Sequence, residues 1–444
     1  MKNPPVSYLT GLLLTIFCIV SSAHFVNAQK MDRIERERMQ YMLRNIKREV
    51  KDEYYDPEFH GIDLDARFDQ AEERLKQVET TGQALGVIAQ TLIDFNDSHL
   101  YFLPPATNLE VEYGWRLKMF GDKCFITLVK PKSDAEAKGL KPGDQVLSVE
   151  GFHPSRSELW KMVYYYNLLS KRSQLKMTVL SPTAEKPREL VIESKIEKKQ
   201  KAITVATLAD LFDTSGKTDF DYNYFKEVGT ISVWKMPSFG IDPKNIDILV
   251  KKIKNSKSLI LDLRGNGGGY VATLERLAGF MFDRDLKIAE LKGRKKMDPQ
   301  ESKTRGDDVY KGDLIVLIDH NSGSAAEIFA RLVQLEKRGK VLGDVSAGAV
   351  MQARSFTDEI SGGGIFYGAS ITNADVIMSD GKSLEHIGVI PDEQIVPTGL
   401  DLARQRDPVL SKALEMLGGR VSPEEAGKFF VYKWKGDRIT IEVQ

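Results

Sequence analysis

The sequence predicts an α/β protein whose largest unit spans residues 196–397. Two observations predict this class. Within that unit, short and nearly continuous apolar segments, such as residues 258–263 and 314–318, alternate with helical segments, which is typical of a buried sheet covered by helices. In addition, 444 residues predict about three folding units of roughly 150 residues each, and an apolar fraction of 42% suffices for substantial cores.

The charges of the chain are balanced. Lys and Arg total 63 and Asp and Glu total 63, so the formal net charge is zero. No summed field therefore draws the whole molecule to nucleic acid or to an anionic membrane. We expect no nucleic-acid partner, and any charge-driven function must be local.

The first 28 residues predict a secretory signal peptide. Lys2 is their only charge, and residues 11–20 are almost entirely apolar but too few for the ~20 residues of a spanning helix. We expect cleavage after Ala28, export to the periplasm or the exterior, and no membrane span in the mature chain. Cleavage removes Cys18 and leaves Cys124 alone, which excludes an intramolecular disulfide and a cysteine metal cluster.

Residues 29–105 predict a helical unit. Helical periodicity occurs in three stretches, 31–50, 64–78 and 84–93. The last one runs into Asp97-Ser98-His99, and Pro104-Pro105 prevents any continuation. We therefore expect Ser98 and His99 at the tip of this unit.

Residues 106–195 predict a compact β-rich module, with strands at 124–129, 145–149 and 175–180. Residues 133–144 resemble the helix-and-turn signature of PDZ domains. Five residues resemble the carboxylate-binding loop of those domains: Tyr113, Gly114, Trp115, Arg116 and Leu117. The resemblance implies that this loop binds the C-terminus of a peptide. The alternative is a module that serves only as a spacer.

The remaining segments are a linker, the core and a tail. Four closely spaced lysines over 195–201 indicate a solvated linker. Within the α/β core, residues 292–312 indicate an exposed loop. The tail, residues 398–444, is expected to hold a helix near 400–417 and a terminal hairpin.

A glycine-rich turn, Arg264-Gly265-Asn266-Gly267-Gly268-Gly269, follows an apolar strand and precedes a helix. Such turns expose backbone N–H groups to an anion. A dinucleotide fingerprint needs a third glycine where Tyr270 stands, and no Gly-Lys-Ser or Gly-Lys-Thr follows as in a phosphate loop. The remaining readings are an oxyanion hole and a tight structural turn.

Ser324 lies between the apolar segment 314–318 and a helical one. With Glu327 it has the spacing of a capping box, which would make it a helix start only. A serine at this junction is also well placed as a nucleophile, because a helix N-terminus stabilises negative charge and the Ala325 N–H faces the same point. The two readings are compatible.

Four motifs together resemble the C-terminal processing peptidase and tricorn-core family of serine peptidases. They are Asp97-Ser98-His99, Asp262 to Gly269, Gly323-Ser324-Ala325-Ala326-Glu327 and Glu385-His386-Ile387-Gly388-Val389-Ile390-Pro391-Asp392. The resemblance covers roughly residues 35–397 and implies a ClpP/crotonase-like core.

The sequence departs from one branch of that family. The processing peptidases use a Ser-Lys dyad, but Ala349 occupies the position that matches the lysine. The tricorn-like branch instead implies four catalytic residues, matched here by Ser98, His99, Ser324 and Glu385. A serine hydroxyl needs an adjacent base, and the base needs an orienting partner.

We therefore expect an exported serine endopeptidase that hydrolyses unfolded or C-terminally exposed polypeptides without metal or cofactor. Ser324 would attack and His99 would take its proton, while Ser98 and Glu385 orient the imidazole. The expected oxyanion donors are the N–H groups of Ala325, Gly267 and Gly268. The alternatives are a catalytically silent PDZ-containing scaffold and a crotonase-like acyl-group enzyme. The sequence leaves the oligomeric state open.

Overall fold

The computed structural model describes residues 30–203, 223–360, 365–436 and 438–444. The predicted signal peptide, with its cleavage after Ala28, lies outside these residues. Among the helices that are described, none is both long enough and apolar enough to cross a membrane.

The N-terminal unit consists of three helices: Arg33–Glu53, Leu64–Gln77 and Thr81–Ile93. Each helix is capped at its N-terminus by a side chain that accepts a hydrogen bond from a backbone N–H of the first turn. The capping residues are Asp32, Asp63 and Thr80. Their apolar faces share one core with the strand Phe366–Met378 of the main body. This packing fixes the segment that follows the third helix against the main body.

The β-rich module is a five-stranded antiparallel sheet with its own apolar core. Its strands in spatial order are Trp115–Phe120, Lys123–Val129, Gln145–Val149, Gln174–Leu180 and Arg188–Glu193. Two short helices, Asp134–Ala137 and Leu159–Tyr164, accompany the sheet, and the second continues into a π-helical turn, Tyr165–Leu169.

Two strands connect this module to the rest of the chain. Thr107–Glu112 enters, Lys195–Ile203 leaves, and the two pair antiparallel as a linking ribbon. The segment 195–201, expected as a solvated linker, is thus a paired strand, and Lys195 and Lys198 within it are exposed. Val111 pairs with Ile196 and Glu112 pairs with Lys195 in this ribbon, so an apolar pair and an opposite-charge pair favour the strand.

The main body contains a six-stranded sheet, parallel except at one edge. Its strands in order are Glu393–Gln394, Lys340–Gly343, Asp313–Ile318, Ser258–Asp262, Ile231–Lys235 and Tyr224–Val228. One face is covered by the helices Pro243–Ile253, Val271–Met281 and Ala325–Leu335. Pro408–Met416 covers the other, as the predicted α/β class requires.

A second, antiparallel sheet packs beside the first. Its strands are Tyr101–Leu103, Phe366–Met378, Leu286–Lys292, Gln300–Ser302 and Met351–Glu359. Part of it lies in residues 292–312, which the sequence indicated as an exposed loop. That expectation was wrong at Gln300 and Ser302, both of which are buried.

The tail differs from the single helix expected near 400–417. It forms two helices, Gly399–Ala403 and Pro408–Met416, because Asp407 caps and Pro408 begins a new helix. A short helix, Pro423–Ala426, and a hairpin of Phe430–Lys435 with Arg438–Val443 follow.

Candidate active site

Ser98, His99 and Glu385 form one hydrogen-bonded group. The Ser98 hydroxyl lies 2.7 Å from His99 Nδ1 and donates to Glu385 Oε2 at 2.9 Å. The Ser98 backbone N–H donates to Glu385 Oε1 at 2.9 Å. Because the hydroxyl gives its own proton to the carboxylate, it accepts a proton from Nδ1. His99 Nε2 is then the unprotonated nitrogen.

Asp97 holds the backbone of this group. Its buried carboxylate accepts the His99 N–H at 2.9 Å, the Thr372 hydroxyl at 2.7 Å and the Tyr54 hydroxyl at 3.0 Å. The N-terminal helices and the second sheet thus fix the position of His99. The sequence placed Asp97 in a motif but gave it no task.

The Glu385 side chain is largely shielded from solvent, with 11% of it exposed, and its environment makes its charge costly. Burial and the negative charge of Asp97 raise the pKa of Glu385. His99 and the backbone N–H groups of Ser98 and Val350 oppose that rise. The carboxylate therefore takes up a proton more readily than an ordinary glutamate when the pH falls.

Ser324 stands in a strained turn at the start of the helix Ala325–Leu335. Its φ of +51° lies in the left-handed region that non-glycine residues rarely adopt. Its backbone N–H donates to the Ala349 carbonyl and to Glu327 Oε2, each at 2.9 Å. Such strain clusters at functional sites, where the surrounding structure enforces it.

One peptide group connects Ser324 with Glu385. The Ala349 carbonyl accepts the Ser324 N–H at 2.9 Å, and the N–H of the same peptide group, from Val350, donates to Glu385 Oε2 at 2.8 Å. In the part of the chain that is described, no hydrogen bond joins the Ser324 hydroxyl to the His99 imidazole. Catalytic hydrogen bonds are often long without substrate and shorten when it binds.

The glycine turn lies against Ser324. A Cβ on Gly268 would stand 2.7 Å from the Ser324 Cβ and 3.1 Å from the Ala325 nitrogen, so only glycine fits. The Gly268 N–H donates to Asn266 Oδ1 at 2.9 Å, whereas Gly267 is exposed.

Buried charges fix the start of this turn. Arg264 donates to both oxygens of Asp262 at 2.8–3.0 Å, and the Arg264 carbonyl accepts from Lys235 Nζ at 2.7 Å. Burial alone would raise the pKa of Asp262, but the charges of Arg264 and Lys235 outweigh it and lower the pKa. The next N–H, from Gly265, donates to the buried Asp319 at 3.0 Å.

Comparison with known proteins identifies the family of the main domain. Residues 227–395 match peptidase family S41, and residues 35–84 match the tricorn protease C1 domain. Residues 227–395 therefore form a peptidase family S41 domain. This domain contains the glycine turn, Ser324 and Glu385, while Ser98 and His99 come from the segment between the two matches.

Two relatives show how much of the chain is shared. It is 30% identical over 277 residues to the tail-specific protease of Haemophilus influenzae, covering 58% of this chain and 38% of the relative. It is 23% identical over 359 residues to the carboxyl-terminal-processing protease of Synechocystis, covering 78% of this chain and 71% of the relative. The shared region thus amounts to well under half of the first relative.

Solved structures support the fold. Mature CPAF has a TM-score of 0.63 at 14% identity, covering 83% of this chain and 94% of that one. The photosystem II D1 C-terminal processing protease has a TM-score of 0.50 at 19% identity, covering 82% and 96%. The chain therefore has a mixed α/β fold like that of these proteases.

Glu327 has a larger part in the site than the capping box suggested. Its fully buried carboxylate accepts from the Ser324, Gly348 and Ala349 N–H groups and from the Ser346 hydroxyl at 2.6–3.0 Å. Burial raises its pKa to about 7, although these hydrogen bonds oppose the rise. A glutamate on the apolar face of a helix was the sequence signal for this role.

The five residues of the expected carboxylate loop lie at one end of the β-rich module. Tyr113, Gly114 and Trp115 are buried, and Gly114 has a φ of +78°. The Arg116 guanidinium lies 4.7 Å from the centre of the Trp434 ring, and Leu117 packs against the core of the module. Among the described residues, no group of three or more His, Cys, Asp or Glu side chains is placed to hold a metal.

Proposed function

We propose that this S41 protein is an exported serine endopeptidase that uses Ser324, His99, Ser98 and Glu385 to cleave unfolded or C-terminally exposed polypeptides. One observation carries the proposal: Ser98, His99 and Glu385 form a continuous hydrogen-bonded group that a single peptide group connects to Ser324. Export rests on the composition of residues 1–28.

The protons move in a simple order. His99 Nε2 takes the Ser324 proton as the hydroxyl oxygen attacks the scissile carbonyl. The imidazolium keeps its Nδ1–H on Ser98, which stays bound to the Glu385 carboxylate. His99 then gives its proton to the leaving amine, and water hydrolyses the acyl-enzyme by the same steps in reverse.

Ala325 and Gly267 are the proposed oxyanion donors. The Ala325 N–H is the first of its helix, where the dipole favours negative charge. Gly268 is the weaker choice because its N–H already donates to Asn266. Hydrogen bonds and ion pairs on both sides of Gly267 preorganise the turn, so little energy is spent on reorganisation during the reaction.

The remaining expectations are part of the same proposal. We assign residues 196–397 to a ClpP/crotonase-like core and residues 106–195 to a PDZ-like domain, whose loop of residues 113–117 would bind a substrate's terminal carboxylate. The edge position of the strand Trp115–Phe120 supports this, because an added peptide strand needs an open edge.

Proteolysis of casein by the purified protein tests the proposal. Replacing Ser324 with Ala should reduce turnover on the order of 10⁶-fold without unfolding the protein. Ser355→Ala, at an exposed serine of the second sheet, is the control and should cleave at the wild-type rate. Equal cleavage by Ser324→Ala would refute the assignment.

A further inference from the structure

The loop of residues 113–117 already holds a carboxylate of its own chain. Glu112 Oε1 accepts the Gly114 N–H at 2.8 Å and lies 3.2 Å from Arg116 Nη1. A backbone N–H and a guanidinium therefore converge on one carboxylate oxygen. A peptide's terminal carboxylate would need the same two kinds of donor.

The geometry of the loop does not allow a second carboxylate beside the first. Gly114 is buried, and a Cβ at this position would lie 2.7 Å from the Ser133 Cβ. Its N–H is one donor with one direction, and it points at Glu112. An incoming carboxylate must take this donor from Glu112 or bind elsewhere.

Arg116 is held at the loop from its other side. Its guanidinium lies over the Trp434 ring of the C-terminal hairpin, and Lys130 Nζ lies 4.9 Å from the centre of the same ring. Cations are attracted to the face of an aromatic ring. Arg116 can thus stay in place while its carboxylate partner is exchanged.

A second position for the Glu112 side chain lies across the linking ribbon. Glu112 and Lys195 are directly opposite in register, so their side chains share one face. Both line a small cavity with Glu110 and Glu197. A displaced Glu112 carboxylate would lie near Lys195, whose Nζ also pairs with Glu197 Oε1 at 2.5 Å.

We propose that Glu112 is an internal competitor that sets the specificity of this loop, so that a substrate's free C-terminal carboxylate binds by displacing it. The proposal rests on the carboxylate-binding function proposed above for residues 113–117. The exchange replaces one carboxylate by another at Gly114 and Arg116. A neutral C-terminal amide carries no negative charge to replace that of Glu112 beside Arg116, so it does not displace Glu112.

Peptide binding to the full chain tests this inference. Ser324→Ala serves as the parent so that nothing is cleaved, and two labelled peptides differ only in a free or an amidated C-terminus. Fluorescence anisotropy gives each Kd. Glu112→Gln should tighten binding of the acid peptide on the order of tenfold and leave the amide within about twofold, because the loop is no longer occupied by a charge.

Two variants separate displacement from a general loss of negative charge. Glu185→Gln removes a negative charge from an exposed loop of the same module, away from this cavity, and should leave the ratio of acid to amide affinity unchanged. Adding Arg116→Gln to Glu112→Gln should abolish the gain. The inference is overturned if the ratio of acid-peptide affinity to amide-peptide affinity in Glu112→Gln is equal to or below the ratio in the parent.

The two proposals fail in different ways. Suppose that the unmutated protein cleaves casein but that neither the parent nor Glu112→Gln prefers the acid peptide. The loop then does not bind carboxylates, so this inference and the proposed carboxylate-binding role of residues 113–117 are lost, while the peptidase assignment stands. If casein is not cleaved but Glu112→Gln still gains acid affinity, the peptidase assignment falls and the inference stands.

Discussion

Arg264 and Asp407 form a two-pronged ion pair, with Nη1 to Oδ1 at 2.9 Å and Nη2 to Oδ2 at 2.8 Å. Arg264 begins the glycine turn, and Asp407 lies beyond the residues that match family S41. The pair ties the C-terminal tail to the turn that carries the proposed oxyanion donor. The tail is therefore part of what positions the site.

Replacing Asp407 with Asn should lower kcat about tenfold with little change in KM, because the turn is used in the transition state rather than in substrate binding. Asn still caps the helix Pro408–Met416, so that function is kept. Steady-state kinetics would measure kcat and KM separately. Asp401→Asn, which removes a tail aspartate paired with Arg406, is the control; an equal effect of both variants would contradict the role.

Proteolysis should fail as the pH falls. Burial and the negative charge of Asp97 raise the pKa of Glu385, so this carboxylate is protonated more readily than an ordinary glutamate and loses the charge that holds Ser98. Glu385→Gln should reduce kcat/KM on the order of 10³-fold. A profile of kcat/KM against pH would show the loss.

A lysine base would give a different result. Lys118 pairs with Asp319 and Lys235 pairs with Asp262, so both amino groups near the glycine turn are occupied. Lys118→Ala should keep measurable turnover and an unshifted acid limb. Loss of all activity in that folded variant, with Glu385→Gln still active, would assign the base to a lysine.

Glu327 should make stability depend on pH. Burial raises its pKa from an ordinary 4.5 to about 7 in the folded state. A raised carboxyl pKa gives stability that is present below about 4.5 and is lost as the pH rises through about 7, amounting to about 3 kcal/mol. Denaturant unfolding of wild type and Glu327→Gln from pH 4 to 8 would measure it. The difference in unfolding free energy, wild type minus variant, should fall with pH; a constant or rising difference would contradict this.

Gly268 should tolerate no side chain. Ala at this position would place its Cβ 2.7 Å from the Ser324 Cβ and 2.9 Å from the Gly323 carbonyl oxygen, at a φ of +101°. Gly265→Ala is a matched control, because its φ is also positive at +77° but its nearest neighbour is Lys118 Nζ at 3.9 Å. Turnover and melting temperature should fall further in Gly268→Ala than in Gly265→Ala. Equal losses would mean that backbone strain alone matters.

Local patterns in the sequence predicted the elements of the main body well. The helix Ala325–Leu335 and the strand Asp313–Ile318 have strong periodicity or continuous apolar runs. Gln300–Ser302 was missed because three polar residues carry no period, and Lys195–Ile203 because its partner strand is distant in sequence.

The site was accessible from the sequence only in part. Motifs singled out Ser98, Ser324 and Glu385, but the contact of Ser98 with Glu385 spans 287 residues and no local rule reaches that far. Glu327 and Asp407 both have an evident local task as caps. That local task concealed the contacts of Glu327 with the Ser324 turn and of Asp407 with Arg264.

Labelling with a fluorophosphonate tests the central claim most directly, because this probe reacts with a serine only when its hydroxyl is activated. Intact mass and peptide mapping of the purified protein should show one adduct, on Ser324, and His99→Ala should remove it. An adduct on another serine, or labelling of folded His99→Ala at the wild-type rate, would contradict the assignment of Ser324 as the nucleophile and His99 as its base.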